Sequence, residues 1–330
     1  MKCKTNKIIN YSLQLLRLLL CFWVVIHHSC SNVYKFKGKF HVPTFMIMSF
    51  YFYYKTLKTK NITKIKERFQ RITIPYIIWA IFIFIFNNIF FKLFGFSIYK
   101  KKLLIKELVL QLIFGTKYHF IFYYQFNLIL VTILLNIISF LFHKYFIFIF
   151  QILLIIAYLF QYTYWNFLIF EKYSFLVRYS LGNILELLPF AVTGVTLCYL
   201  DIVTKLKKLK ILTILTIFYI GVILFFILEF DIFVRIKGFW FPGILLNIGG
   251  ICIFILFSLF SFQNKKIIFL LKIITKFTGG IYYIHMLFYH SLIQKFLFIQ
   301  KRTIYGSIFI YTCYLGNKLL FKTKFKLLFN

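Results

Sequence analysis

Stretch after stretch of about 20 residues passes with hardly a charge. Such runs fall at roughly 13–31, 42–57, 72–94, 118–141, 144–162, 184–201, 210–229, 241–262, 278–298 and 303–321. A helix of about 20 apolar residues crosses a bilayer, and a soluble core seldom holds so many of them. In lipid each backbone N–H and C=O needs an internal partner, so the spans must be helical or form a closed barrel. A barrel is excluded, because the runs are too long and lack strict alternation between inward and outward residues. The expected fold is all-α: a polytopic transmembrane bundle of about ten helices, one multi-pass domain over 1–330 with no separate soluble domain.

Composition agrees. The chain is 62% hydrophobic and 23% aromatic, where soluble domains hold about 45–50% apolar residues. Forty Lys and Arg stand against seven Asp and Glu, a formal charge of +33. In a soluble protein that charge would suggest nucleic acid. Here the basic residues sit in short loops between apolar runs, so the expected neighbours are anionic lipid headgroups, not nucleic acid. The densest basic run, KTLKTKNITKIKERFQR at 55–71, is expected to be a lipid-facing loop between the second and third spans. The first run follows Lys2, Lys4 and Lys7 as a secretory signal would, but it is long and no clean cleavage site follows, so it is expected to remain as the first span.

Basic residues lie more heavily in the loops on the N-terminal side. Glu67 and Asp201 share that side, while Glu107, Glu171, Glu229 and Asp231 lie opposite. The positive-inside rule then puts both termini in the cytoplasm.

Within the first span, RLLLCFWVVIHH at 17–28 carries three residues that lipid disfavours. Arg17 and His28 are eleven residues apart, close to three turns at about 3.6 residues each, so they share one helix face about 16 Å apart. His27 is turned by about 100° from His28. A buried arginine costs at least about 2.5–3.5 kcal/mol on insertion scales, so it normally faces a protein interior or a water-filled cavity. The pair therefore implies a polar passage along the first helix. An imidazole titrating near 6.5 suits His28 to accept a hydroxyl proton. His119, Glu186 and His285 also fall in or beside apolar runs; gathered in one cavity they would form an ionisable cluster.

Other chemistries lack their signatures. The cysteines (Cys3, Cys21, Cys30, Cys198, Cys252 and Cys313) show no metal-ligand or CxxC spacing, and most lie inside apolar runs as small core residues. No serine–histidine–acid motif, phosphate loop or metal-ligand pattern is present, so no metal site is expected.

Several stretches, in order along most of the chain, resemble the acyltransferase-3 family of multi-pass membrane enzymes that O-acylate sugars and cell-surface polysaccharides. Arg17 and His28 match its R-x10-H signature. HVPTFMIMSFYF at 41–52 resembles its VPxFFxxSGY segment through Pro43, Phe45, Ser49 and Tyr51. RFQRITIPYIIW at 68–79 carries its R-x-x-R pair, Arg68 and Arg71, then Pro75 and Tyr76. YHFIFYYQFNLIL resembles HLWFLxxL through His119 and Phe122, LPFAVTG at 188–194 resembles PFFxxG, and GGIYYIH at 279–285 matches G-x-Y-x-x-H through Gly280, Tyr282 and His285. Phe50 stands where the family has glycine, and Ile121 where it has tryptophan.

The resemblance implies an integral protein of the bacterial cytoplasmic membrane that takes acetyl-CoA or another acyl-CoA as donor substrate, with no bound cofactor. It implies a hydroxyl of a sugar or surface glycan as acceptor. His28 is then the expected base, Arg17 lines the donor passage or steadies developing charge, and Arg68 and Arg71 clamp CoA phosphates. Ser49, His119, Glu186, Tyr282 and His285 are expected in the acceptor site or pocket. The rival readings are a transporter or exporter of glycan or small solute, and an inactive relative.

Overall fold

A computed structural model describes residues 10–29, 41–58, 62–94, 102–115, 122–142, 145–162, 175–209, 219, 221, 244–260, 264–275 and 278. Its helices are α1 (Tyr11–Ser29), α2 (His41–Leu57), α3 (Ile62–Phe94), α4 (Ile105–Phe114), α5 (Phe122–Leu141), α6 (Phe146–Tyr162), α7 (Phe175–Tyr199), α8 (Ile202–Leu206), α9 (Ile244–Leu259) and α10 (Lys265–Ile274). No strand occurs among the described residues, so the all-α expectation stands. The spans expected at 210–229, 278–298 and 303–321 lie almost wholly outside the described residues.

Three differences from the sequence reading have physical causes. The basic run between the second and third spans is largely helical, because α3 begins at Ile62. Its Lys, Glu, Gln and Arg are good helix formers, and Glu67 meets Arg71 one turn on at 3.3 Å. At 33 residues α3 is about 50 Å long, well beyond a hydrocarbon core of about 30 Å, which leaves length for its charged first turns outside such a core. The short helices α4 and α10, ten residues each, were not anticipated. At about 15 Å neither can cross a bilayer, so a search for spans passes over them. α4 is held to α3 by Asn88, whose amide both donates to the Leu103 carbonyl (3.0 Å) and accepts from its N–H (2.8 Å). The Tyr76 hydroxyl also donates toward the Gln111 carbonyl at 2.7 Å. α7 begins at Phe175, nine residues before the expected span.

Many apolar side chains are exposed among the described residues, as a lipid-facing surface would have them. On α3, Ile77, Ile78, Ile81, Phe82, Ile85 and Ile89 are exposed along one face, while Tyr76, Ala80, Ile83 and Asn87 are buried on the other. In α3 and α5, Thr63–Ile89 and Phe122–Leu141 are long and apolar enough to cross a membrane; Tyr11–Val24, Phe146–Leu159, Ile184–Tyr199 and Leu246–Leu259 are shorter apolar stretches.

α2 is the central element. It packs most extensively against α7, then against α9, and also touches α1 and α3. Eleven of its 17 residues are buried. Gly194 of α7 makes this possible, since a Cβ there would sit inside van der Waals contact of the Ile47 carbonyl and 3.0 Å from the Tyr51 N atom. Backbone meets backbone at that crossing, as small residues allow between membrane helices. Phe50, at the position where the family has glycine, lies fully buried and edge-on to Tyr53 at 6.2 Å. Gly194→Ala is expected to destabilise the bundle by about 1–3 kcal/mol, the usual range for overpacking. A thermal unfolding midpoint in detergent identical to wild type would show the crossing can open without cost.

Helix ends cluster on one side of the bundle. Asn10 caps α1 by accepting from Ser12 N at 3.0 Å, and its own amide donates to the Ser258 carbonyl near the end of α9. The Ser12 hydroxyl donates to the Phe260 carbonyl at 2.7 Å. Lys58, after α2, donates to the Cys198 carbonyl at the end of α7 (3.2 Å) and lies over the Tyr54 and Tyr199 rings. Lys272 of α10 lies 5.6 Å from the Tyr11 ring centroid. The starts of α1 and α3 and the ends of α2, α7 and α9 thus share a Lys-rich face.

Candidate functional site

Three of the expected site residues converge just inside that basic face. Ser49 sits midway along α2, where the helix is buried on most sides. Its backbone carbonyl accepts from an Arg68 Nη at 2.5 Å. Its hydroxyl shares a hydrogen bond with the Tyr124 phenol of α5. Arg68 reaches inward from α3, its Cζ 5.0 Å from the centroid of the Tyr53 ring, a cation–π distance. Tyr53 in turn hydrogen-bonds Asn136 of α5. Arg17 arrives from α1, close enough to act electrostatically on Tyr124 and on Cys21 one turn along its own helix. The Cys21 thiol donates to the Thr278 carbonyl at 3.4 Å.

Four helices therefore bring two guanidiniums, a hydroxyl and a phenol together. Among the described residues neither Arg17 nor Arg68 pairs with a carboxylate, and the Arg68 Nε–H is buried without a partner. Half-buried positive charge without a carboxylate partner among the described residues is costly, and an anion bound there would offset it.

Arg71, expected beside Arg68, points elsewhere. Three helix positions on, its side chain is 61% exposed and faces Glu67 at 3.3 Å. Glu186 of α7 is buried and acts electrostatically on Tyr123, the neighbour of Tyr124. His28 lies on α1 close to its end at Ser29, but its side chain falls outside the described residues. His119, Ile121, Tyr282 and His285 lie outside them altogether.

Sequence reasoning missed Tyr124, Tyr53 and Asn136. In a chain with 24 Tyr and 48 Phe a tyrosine carries almost no signal, and FYYQFN at 122–127 reads as ordinary aromatic packing.

A second buried polar seam joins α6, α7 and α9. The Asn247 amide donates to the Tyr158 and Thr193 hydroxyls, each at 2.7 Å, and Gln151 donates to Thr196 at 2.7 Å. These hydrogen bonds lock helices together in a medium that offers no water.

The described residues form a helix bundle with an inward-facing cationic node, two of whose helices are long and apolar enough to cross a membrane. Residues 10–316, nearly the whole chain, match the acyltransferase-3 domain family. The chain belongs to that family, whose activity is acyl transfer from a donor to an acceptor. No curated protein and no solved structure matches it.

Proposed function

We propose that this protein is an O-acyltransferase that moves an acyl group, most simply acetyl, from acyl-CoA to a hydroxyl of a sugar or cell-surface glycan. The observation that carries the reading is the pair of inward guanidiniums, Arg17 and Arg68, around Ser49 and Tyr124 with no carboxylate partner among the described residues. A phosphate-bearing donor supplies the missing negative charge, and guanidinium is the side chain best matched to phosphate. The Lys-rich face beside the node is, on this reading, cytoplasmic, so the donor arrives from the compartment that holds it.

In the proposed reaction the acceptor hydroxyl oxygen attacks the thioester carbonyl carbon while His28 takes its proton. The carbon–sulfur bond then breaks, and the departing thiolate takes up that proton, leaving an ester and free CoA. His28 is about 16 Å along α1 from Arg17, so phosphates held at the node leave the donor's flexible arm to carry the thioester toward the imidazole. Arg71 and the lysines near it attract the donor at the mouth of this path without gripping it.

The test is twofold. Purified protein given acetyl-CoA and extracted surface glycan should release free CoA thiol, and the glycan should gain one acetyl mass increment. Solute movement across vesicles without CoA release would instead establish a transporter.

A further inference from the structure

We propose that α10 lies in the membrane interface and binds anionic phospholipid, with Ile267 and Leu270 among the upper acyl chains and Lys265, Lys266 and Lys272 against the phosphates. At ten residues α10 is about 15 Å long and cannot cross a bilayer. It is nonetheless a formed helix with both ends secured. The Asn264 side chain accepts from Lys266 N (2.9 Å) and Ile267 N (3.3 Å), and the Thr275 hydroxyl donates back to the Leu271 carbonyl at 2.6 Å. Its level in the fold is set by its neighbours. α10 follows α9, whose end is tied to the start of α1 by Asn10, and it packs on α1 with Lys272 over the Tyr11 ring. It therefore sits where α1 and α9 end, at the Lys-rich face of the bundle.

Only part of the apolar surface of α10 is used against the bundle. In KKIIFLLKII, Ile267, Leu270, Leu271 and Ile274 fall within an arc of about 100°, at about 100° per residue. Leu271 is buried, whereas Ile267 and Leu270 are 40% and 55% exposed. Lys265, Lys266 and Lys272 are exposed on the remaining side, with Phe269 among them, and α10 has no acidic residue. An open apolar stripe beside a row of lysines is the anatomy of a helix lying in the plane of a bilayer. The lysine stems follow the apolar surface and lift their ammonium groups to headgroup level. Lys265 and Lys266 also stand in the first turn, where the helix dipole disfavours cations, and a bound phosphate offsets that cost. A second copy of a chain carrying a formal +33 would bring like charge to this surface, so charge selects anionic lipid as the occupant. Composition places headgroups near every basic loop; α10 singles out one helix and adds insertion to charge.

The experiment places full-length protein carrying Leu270→Trp in phosphatidylcholine nanodiscs and reads the added indole emission as the difference from wild type. Ile267→Trp serves as a second reporter on the same stripe. Lipids brominated on the upper acyl chain should quench the introduced indole, and iodide in the water should not reach it. Brominated phosphatidylglycerol should match the quenching by brominated phosphatidylcholine at about one tenth of its mole fraction. Lys265→Gln plus Lys266→Gln, added to the reporter, should remove most of that preference, since a lysine at a charged surface is worth about fivefold. The unfolding midpoint should hold, because both lysines are exposed. Iodide quenching of both reporters without bromine quenching would put α10 in water and overturn the inference. Shielding from both quenchers would also overturn it, by showing that protein, such as a second copy, covers the stripe. Equal quenching by the two lipids, or a preference that survives the double substitution, would show that α10 does not read lipid charge. CoA is absent throughout, so the outcome stands apart from the donor reading.

Discussion

His28→Ala is expected to cut acyl transfer by about 10²–10⁴-fold, the usual weight of a general base, while membrane insertion and donor affinity stay as they are. Arg17 reaches the polar node with Ser49, Arg68 and Tyr124. Eleven residues are close to three helical turns, so helix spacing alone gives His28 the same register as Arg17, some three turns further on. His27 does not share it, so His27→Ala should change the rate by less than a few-fold. A base acts on the chemical step alone, so kcat should fall while the calorimetric affinity for CoA holds. Steady glycan O-acylation by the His28→Ala protein would mean that another group takes the proton.

Some of this was legible in the sequence and some was not, for reasons that differ by residue. The all-α class follows from the apolar runs, because lipid leaves the backbone no other choice. Arg17 was legible because a cation in an apolar helix is costly and must be turned inward. Gly194 was visible within LPFAVTG as part of a motif, but its reason, contact with the Ile47 carbonyl, exists only once α2 and α7 cross. The helical start of α3 was hidden by a rule of thumb: dense charge reads as loop, although Lys, Glu and Arg favour helix wherever solvent can reach them. Tyr124 was invisible for a third reason. Its role comes from which three other helices surround it, and hydropathy carries no information about neighbours across a bundle.

The arginine pair puts the same distinction to a quantitative test. Spacing alone treats Arg68 and Arg71 as one phosphate clamp, whereas their surroundings in the structure divide them. Arg68 is turned into the bundle, bound to the Ser49 carbonyl and stacked over Tyr53. Arg71 is mostly exposed, and its contact with Glu67 is a surface ion pair of the kind worth about 0–1 kcal/mol. Arg68→Ala is expected to weaken CoA by about 100-fold, on the order of the 1.5–3 kcal/mol that a hydrogen bond to a charged group contributes. Arg68→Lys should recover little, because an ammonium cannot both reach a carbonyl and spread a planar fork toward phosphate. Arg71→Ala should weaken CoA by no more than about threefold, and raised salt should erase even that difference, because exposed charges are screened. Raised salt should leave the Arg68→Ala defect in place, since the guanidinium lost there points inward, away from the screening ions. Equal losses from the two alanine substitutions at low salt would restore the clamp. They would also mean that Arg71 swings inward, away from Glu67, when the donor binds.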